Sequence, residues 1–168
     1  MADRAGESLV QFSERLTSSA AFGTLFREGM DLVEETAAYL DGVGRSEAKA
    51  LDRAVSLTYA TESMRLTTRL MQLASWLLLH RAVKEGEMTL SQANREKTKV
   101  KLTAADPGAA DTLARLPQQL QDLIARSMRL QSKVRRLDTT IHTPSTERAP
   151  IGNPLVPQLN RLKAAFER

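Results

Sequence analysis

The sequence predicts an all-α protein: a three-helix bundle with one long central helix, a short charged helix in a connection, and a disordered C-terminal tail. Three observations carry this reading. Aromatic residues make up only 4% of the 168 residues and glycines number eight, whereas a β-sandwich draws heavily on aromatic and β-branched side chains. The alphabet that remains, Leu, Ala, Arg, Thr and Glu, forms helices. Apolar residues also recur at three- and four-residue steps over long stretches, the period of a helix with one buried face. With 42% hydrophobic and 26% charged residues, a chain of about one domain's length can bury a core.

Residues 1–17 carry scattered apolar positions (Leu9, Val10, Phe12, Leu16) without a clean start signal and are read as a flexible leader to a bundle domain spanning 18–141. The first helix is expected to open after Ser18 and Ser19, both good caps, and to run to about Asp41, where Gly42 and Gly44 stop it. Its apolar positions are Phe22, Phe26, Gly29, Val33, Ala37 and Leu40, joined by Leu25, Met30 and Leu32. Gly29 inside a helix costs up to about 1 kcal/mol relative to Ala, so a closely packed neighbour is expected there.

From Ser46 to Glu85 there is neither proline nor glycine, which predicts one helix about 60 Å long at 1.5 Å per residue. Leu66, Leu70, Leu73 and Leu77 share one face of it. Leu57, Met64, Met71 and Leu78, spaced seven apart, fall on the opposite face. Two apolar stripes require cover on two sides, so the second stripe is a candidate self-association surface and the protein an expected homodimer. Glu62, Arg65 and Arg69 lie between the stripes: either an ion pair on a solvated strip, or a polar patch that borders a partner-binding face.

Thr89 and Gln92 form a capping box ahead of a short charged helix, Leu90 to about Lys101. A Pro/Gly/Ala connection follows at 103–112, and Pro117 suits the first position of the next helix. There Leu120, Leu123, Ser127, Leu130, Val134 and Leu137 alternate at three and four residues, a bundle seam widened by Ile124 and Met128. Four of the six prolines lie between 144 and 157. That composition opposes helix and central strand, so 142–168 is read as a disordered Pro-containing tail. Its end, PQLNRLKAAFER, places Leu159, Leu162 and Phe166 at the spacing of a short terminal helix that could bind a partner.

Catalytic chemistry has little to stand on. There is no cysteine, which removes a disulfide scaffold, a cysteine nucleophile and a thiolate zinc site together. Of the two histidines, His80 and His142, the first reads as a polar histidine on a helix surface rather than a ligand. No phosphate loop, G-x-S-x-G or H-E-x-x-H is present. No cofactor or metal is expected, and the protein is read as not an enzyme. The first residues, MADRAGESLVQF, are interrupted by charges where a secretory segment needs an apolar run, and the longest nearly apolar run, Leu73–Leu79, is far short of the roughly 20 residues a bilayer requires. A cytoplasmic protein with no membrane partner is expected.

Residues 1–88 hold 10 Lys/Arg and 13 Asp/Glu, while 89–168 hold 14 and 7. The basic half could meet nucleic acid, another protein or this chain's own acidic half. Arg126, Arg129, Lys133, Arg135 and Arg136 could grip phosphates, yet no aromatic stacking residue or helix-turn-helix spacing accompanies them. Nucleic acid is therefore the weaker alternative.

The stretches FREGMDLVEETAAYLDGVGRSEAKAL and YATESMRLTTRLMQLASWLLLHRAVKEGEMTLSQANREKTKVKL resemble the regulators of CtrA degradation (RcdA), helical proteins of alphaproteobacteria that serve as adaptors for the ClpXP protease in the cell cycle. The likeness covers Ser18 to Leu102 closely and Pro117 to Leu137 loosely. It implies a self-associating three-helix bundle whose partners are ClpX, a response-regulator-type priming adaptor, and the protein substrates delivered for degradation. It implies no residue-level binding map.

Overall fold

The computed structural model describes the backbone of residues 3–97 and 108–142, and the side chains of 19–96 and 108–139. Its helices are α1 (Asp3–Asp41), α2 (Val43–Lys49), α3 (Arg53–Lys84), α4 (Leu90–Lys97), α5 (Ala110–Leu113) and α6 (Gln118–His142). No strand occurs among the described residues. Met1–Arg135 form one compact unit; of the second unit, Arg136–Arg168, only the end of α6 is described. The tail residues Leu159, Leu162 and Phe166 lie outside the described residues.

Contacts between helices fix the topology. Lys84 Nζ donates to the Ser19 carbonyl (3.0 Å) at one end of the α1–α3 pair, and Gly29 of α1 sits against Leu77 of α3 and Leu130 of α6. Ion pairs Lys133–Glu28 (2.9 Å) and Arg126–Glu35 (2.7 Å) run in opposite order along α6 and α1. Hence α1 is antiparallel to both α3 and α6, which are parallel to each other. The connection after α3 must therefore travel back along the bundle. Its described parts lie against α3: α4 packs on α3, the Gly108 N–H donates to Glu62 Oε1 (3.1 Å), and Arg115 reaches Asp52 (3.6 Å).

The core is leucine-rich and continuous. Leu66, Leu70, Leu73, Trp76 and Leu77 of α3 meet Leu120, Leu123, Ile124, Leu130 and Val134 of α6, and Phe22, Leu25, Leu32 and Tyr39 of α1, all buried. The α6 seam holds as predicted from Leu120 to Val134, with Met128 at its half-buried edge. On α1 the buried line is rotated from the predicted one: it runs Phe22, Leu25, Gly29, Leu32, Thr36, Tyr39, while Ala37 is exposed and Phe26, Val33 and Leu40 are half-buried. The reason is that α1 wedges between α3 and α6, so its buried arc points at the groove between them. Phe26 is left at the rim, where the Arg81 guanidinium lies 4.9 Å over its ring.

Two boundaries differ from expectation. Helix α1 begins at Asp3, so Ser18 and Ser19 are interior positions rather than caps and 17/18 is not a helix boundary. That segment lacks proline, and a serine pair costs a helix interior only a few tenths of a kcal/mol each. The single helix expected from 46 to 85 is instead α2 and α3 with a break between them. Asp52, extended at φ −63° and ψ 164°, caps α3 by accepting from the Val55 N–H (2.9 Å), an arrangement that competes with continued helix. α2 is meanwhile held elsewhere, because the Tyr39 hydroxyl donates to Glu47 Oε2 (2.7 Å). Gly44 lies inside α2 rather than stopping α1. A Cβ there would come within 2.7 Å of the Tyr39 carbonyl and 2.8 Å of the Tyr59 hydroxyl, so glycine is needed for the close approach. At the far end Gly86, at φ 77°, terminates α3 with its N–H on the Val83 carbonyl and the Glu87 N–H on that of Ala82.

Candidate protein-interaction face

Helix α3 inverts the usual placement of charge. The charged residues between Ala54 and His80 are Glu62, Arg65 and Arg69, and all three lie on or beside the buried side. Glu62 is 3% exposed and Arg69 1%. The opposite side presents Leu57, Met64, Met71 and Leu78, which are 71%, 72%, 67% and 52% exposed. Between these large residues lie Ala60, Thr61, Thr67, Thr68, Ala74 and Ser75, so this arc carries no charge over its whole length.

The buried polar groups are placed by their partners. Glu62 accepts from Arg65 Nη1 (2.7 Å) and from the Gly108 N–H (3.1 Å). A carboxylate buried this way is held by charge-assisted bonds rather than water. Arg69 Nη1 donates to Ser127 Oγ (2.9 Å), whose own proton goes to the Ile124 carbonyl (2.7 Å). Thus the ion pair Glu62–Arg65 exists as expected, but not on a solvated strip. Glu62 and Arg69 are internal and cannot touch a partner directly; Arg65 alone of the three is part-exposed. His80 corrects the reading of a surface histidine in the same way. It is buried, stacked 3.9 Å from Trp76, and its Nδ1 lies 3.0 Å from the Trp76 carbonyl, which can only accept, so Nδ1 carries the proton.

On the exposed arc three of the four hydroxyls are spent within the helix. Thr61 donates to the Leu57 carbonyl (3.0 Å), Thr67 to Ser63 (2.8 Å) and Ser75 to Met71 (2.8 Å). Covering them therefore costs little, since a hydroxyl pays for burial only when it loses a partner. A shallow depression lined by Ser63, Met64, Thr67 and Thr68 lies at the middle of the arc. The stripe Leu57, Met64, Met71 and Leu78 was legible in the sequence; the small residues between its members were not singled out, although their three- and four-residue spacing marks them.

The basic residues of α6 are arranged differently from a phosphate-binding row. Arg126 and Lys133 are committed to Glu35 and Glu28 of α1, so part of the basic half neutralises the acidic half of the same chain. Among the described residues there is no group of His, Asp and Glu that could hold a metal, and no helix long and apolar enough to cross a membrane.

Fold and surface together define a class, an all-helical bundle whose long central helix buries one apolar stripe together with Glu62 and Arg69 and leaves a second, charge-free apolar stripe exposed. The pattern of a family described as "protein of unknown function (DUF1465)" matches residues 13–166. The crystal structure of RcdA from Caulobacter crescentus CB15 is similar at 52% sequence identity and a TM-score of 0.60, over 71% of this chain and 89% of that one. No curated protein matches the chain. At that identity and coverage the chain belongs to the RcdA family.

Proposed function

We propose that the protein is a non-catalytic adaptor that delivers cell-cycle regulatory proteins to the ClpXP protease in the cytoplasm, acting as a homodimer joined through the exposed arc of α3. Membership of the RcdA family supports the adaptor role. The single structural observation that carries the reading is the charge-free arc from Leu57 to Leu78, an apolar surface that needs a protein to cover it. Its partners are ClpX, a response-regulator-type priming adaptor, and the cargo. The terminal segment with Leu159, Leu162 and Phe166 supplies one of these contacts.

Tethering accelerates degradation by raising the local concentration of cargo at the protease, into the mM range for a short linker. Reconstituted ClpXP, priming adaptor and a labelled cargo test this directly. Cargo loss should speed up with added protein, reach a maximum, and slow again once free adaptor occupies cargo and protease separately. A rate indifferent to the protein, or cargo cleavage without ClpXP, would refute the reading.

A further inference from the structure

We infer that Met64 and Met71 form an oxidation-sensitive pair, and that their conversion to sulfoxides by a peroxide dissolves the contact made by the exposed arc of α3. The inference rests on the self-association proposed above and adds its regulation. Sulfur chemistry in this chain belongs to methionine alone, since there are six methionines and no cysteine. A thioether has no proton to lose, so its reactivity follows exposure rather than a pKa. Met64 and Met71 are 72% and 67% exposed, whereas Met30, Met88 and Met128 are half-buried. The first two stand on one face, in the middle of the stripe from Leu57 to Leu78. Both are reached when the arc is uncovered, so oxidation draws on the free chain and prevents its return to the covered state.

The reaction transfers one oxygen atom. A sulfur lone pair attacks one oxygen of the peroxide, the O–O bond breaks as the S–O bond forms, and with hydrogen peroxide the second oxygen leaves as water. Sulfur is oxidised, the peroxide is reduced, and no proton is left over. A flexible apolar side chain becomes a polar one with a strong hydrogen-bond acceptor.

The arc cannot satisfy two such acceptors. The backbone N–H groups there are bonded within α3, and Thr61, Thr67 and Ser75 already donate to carbonyls of the same helix. Arg65, the part-exposed cation beside the arc, is held by Glu62 (2.7 Å). What remains is the Thr68 hydroxyl, which follows Met64 by four residues and precedes Met71 by three, and so neighbours both. One hydroxyl carries one proton. Of two sulfoxides in a chain, at least one is therefore covered without a donor, and a second copy adds only its own Thr68 and its own sulfoxides. The shortage of polar groups that lets the reduced arc be covered at little cost penalises the oxidised one, and association should weaken by about tenfold or more.

Hydrogen peroxide is the probe, applied to the full chain and followed by peptide mass spectrometry and sedimentation equilibrium. Met64 and Met71 should each gain an oxygen before Met30, Met88 and Met128 do, and more slowly at protein concentrations where the chain is associated. Association should then fall by the stated factor, and methionine sulfoxide reductases A and B with a thiol reductant should restore it. The variant Met64→Leu with Met71→Leu keeps the apolar volume without the sulfur. It should associate like wild type and be indifferent to the same dose of peroxide. Circular dichroism checks that oxidised and variant chains keep their helices. Association undiminished with both sulfoxides in place, or lost to the same extent in the leucine variant, would overturn the inference while leaving self-association and the adaptor role intact. A wild-type protein that is monomeric at high micromolar concentration before any oxidation would overturn the self-association and the inference with it, whereas the adaptor role stands or falls separately on the degradation assay.

Discussion

At the scale of single residues, the protein's tightest constraints sit where helices touch. A Cβ on Gly29 would overlap Leu77 Cδ1, which explains a glycine that would otherwise only weaken α1. Gly29→Ala should cost about 1–3 kcal/mol, the usual penalty for overfilling a packed core, measured by chemical denaturation. The Tyr39 hydroxyl is a second such point. Burial, with the Glu47 carboxylate as its acceptor, pushes it well above its ordinary value of 10.0. Because the folded state holds this proton more tightly than the unfolded chain, the stabilisation is complete below pH 10 and declines as pH rises beyond it. Wild-type melting temperature should therefore fall as pH rises above about 10, where tyrosine ionises in the unfolded chain while Tyr39 in the folded protein keeps its proton. Tyr39→Phe should start about 1 kcal/mol less stable, having lost one hydrogen bond, and decline more gently.

At the scale of elements, the break between α2 and α3 shows how a single cap can override a long run of helix formers. Asp52 accepts from the Val55 N–H and meets Arg115 from the returning connection, so it starts α3 and ties down the entry to α6. Asp52→Ala should lower stability by about 1 kcal/mol, within the range for lost N-caps, with little contributed by the exposed pair to Arg115. Thermal denaturation of the variant checks it. The capping box, in contrast, was fully legible: the Thr89 N–H donates to Gln92 Oε1 (2.9 Å) and the Gln92 N–H to Thr89 Oγ1 (3.1 Å). So was the α6 seam, because its spacing repeats over four turns. The α1 stripe was misplaced since several of its faces are apolar, and only the positions of two neighbours choose among them.

At the scale of the whole molecule, the core lies between Phe22 and Val134, and the charged halves of the chain partly neutralise each other across α1 and α6. Deleting residues 143–168 should leave the unfolding free energy within about 1 kcal/mol of wild type while reducing delivery of cargo to ClpXP. Denaturation together with the degradation assay separates the two effects. Unfolding of the truncated protein would make the tail structural; undiminished delivery would make it dispensable for the adaptor role.

Composition and periodicity by themselves determined the all-helical class, the two stripes of α3, the capping box and the α6 seam, because each depends on residues within a few turns of one another. The tertiary structure alone decided which stripe is bare, why Glu62, Arg69 and His80 are inside, and how the connection returns along α3. Those depend on partners distant in sequence: Gly108 for Glu62, Ser127 for Arg69. A charged residue's burial is set by whether a distant group satisfies it, and no local pattern encodes that.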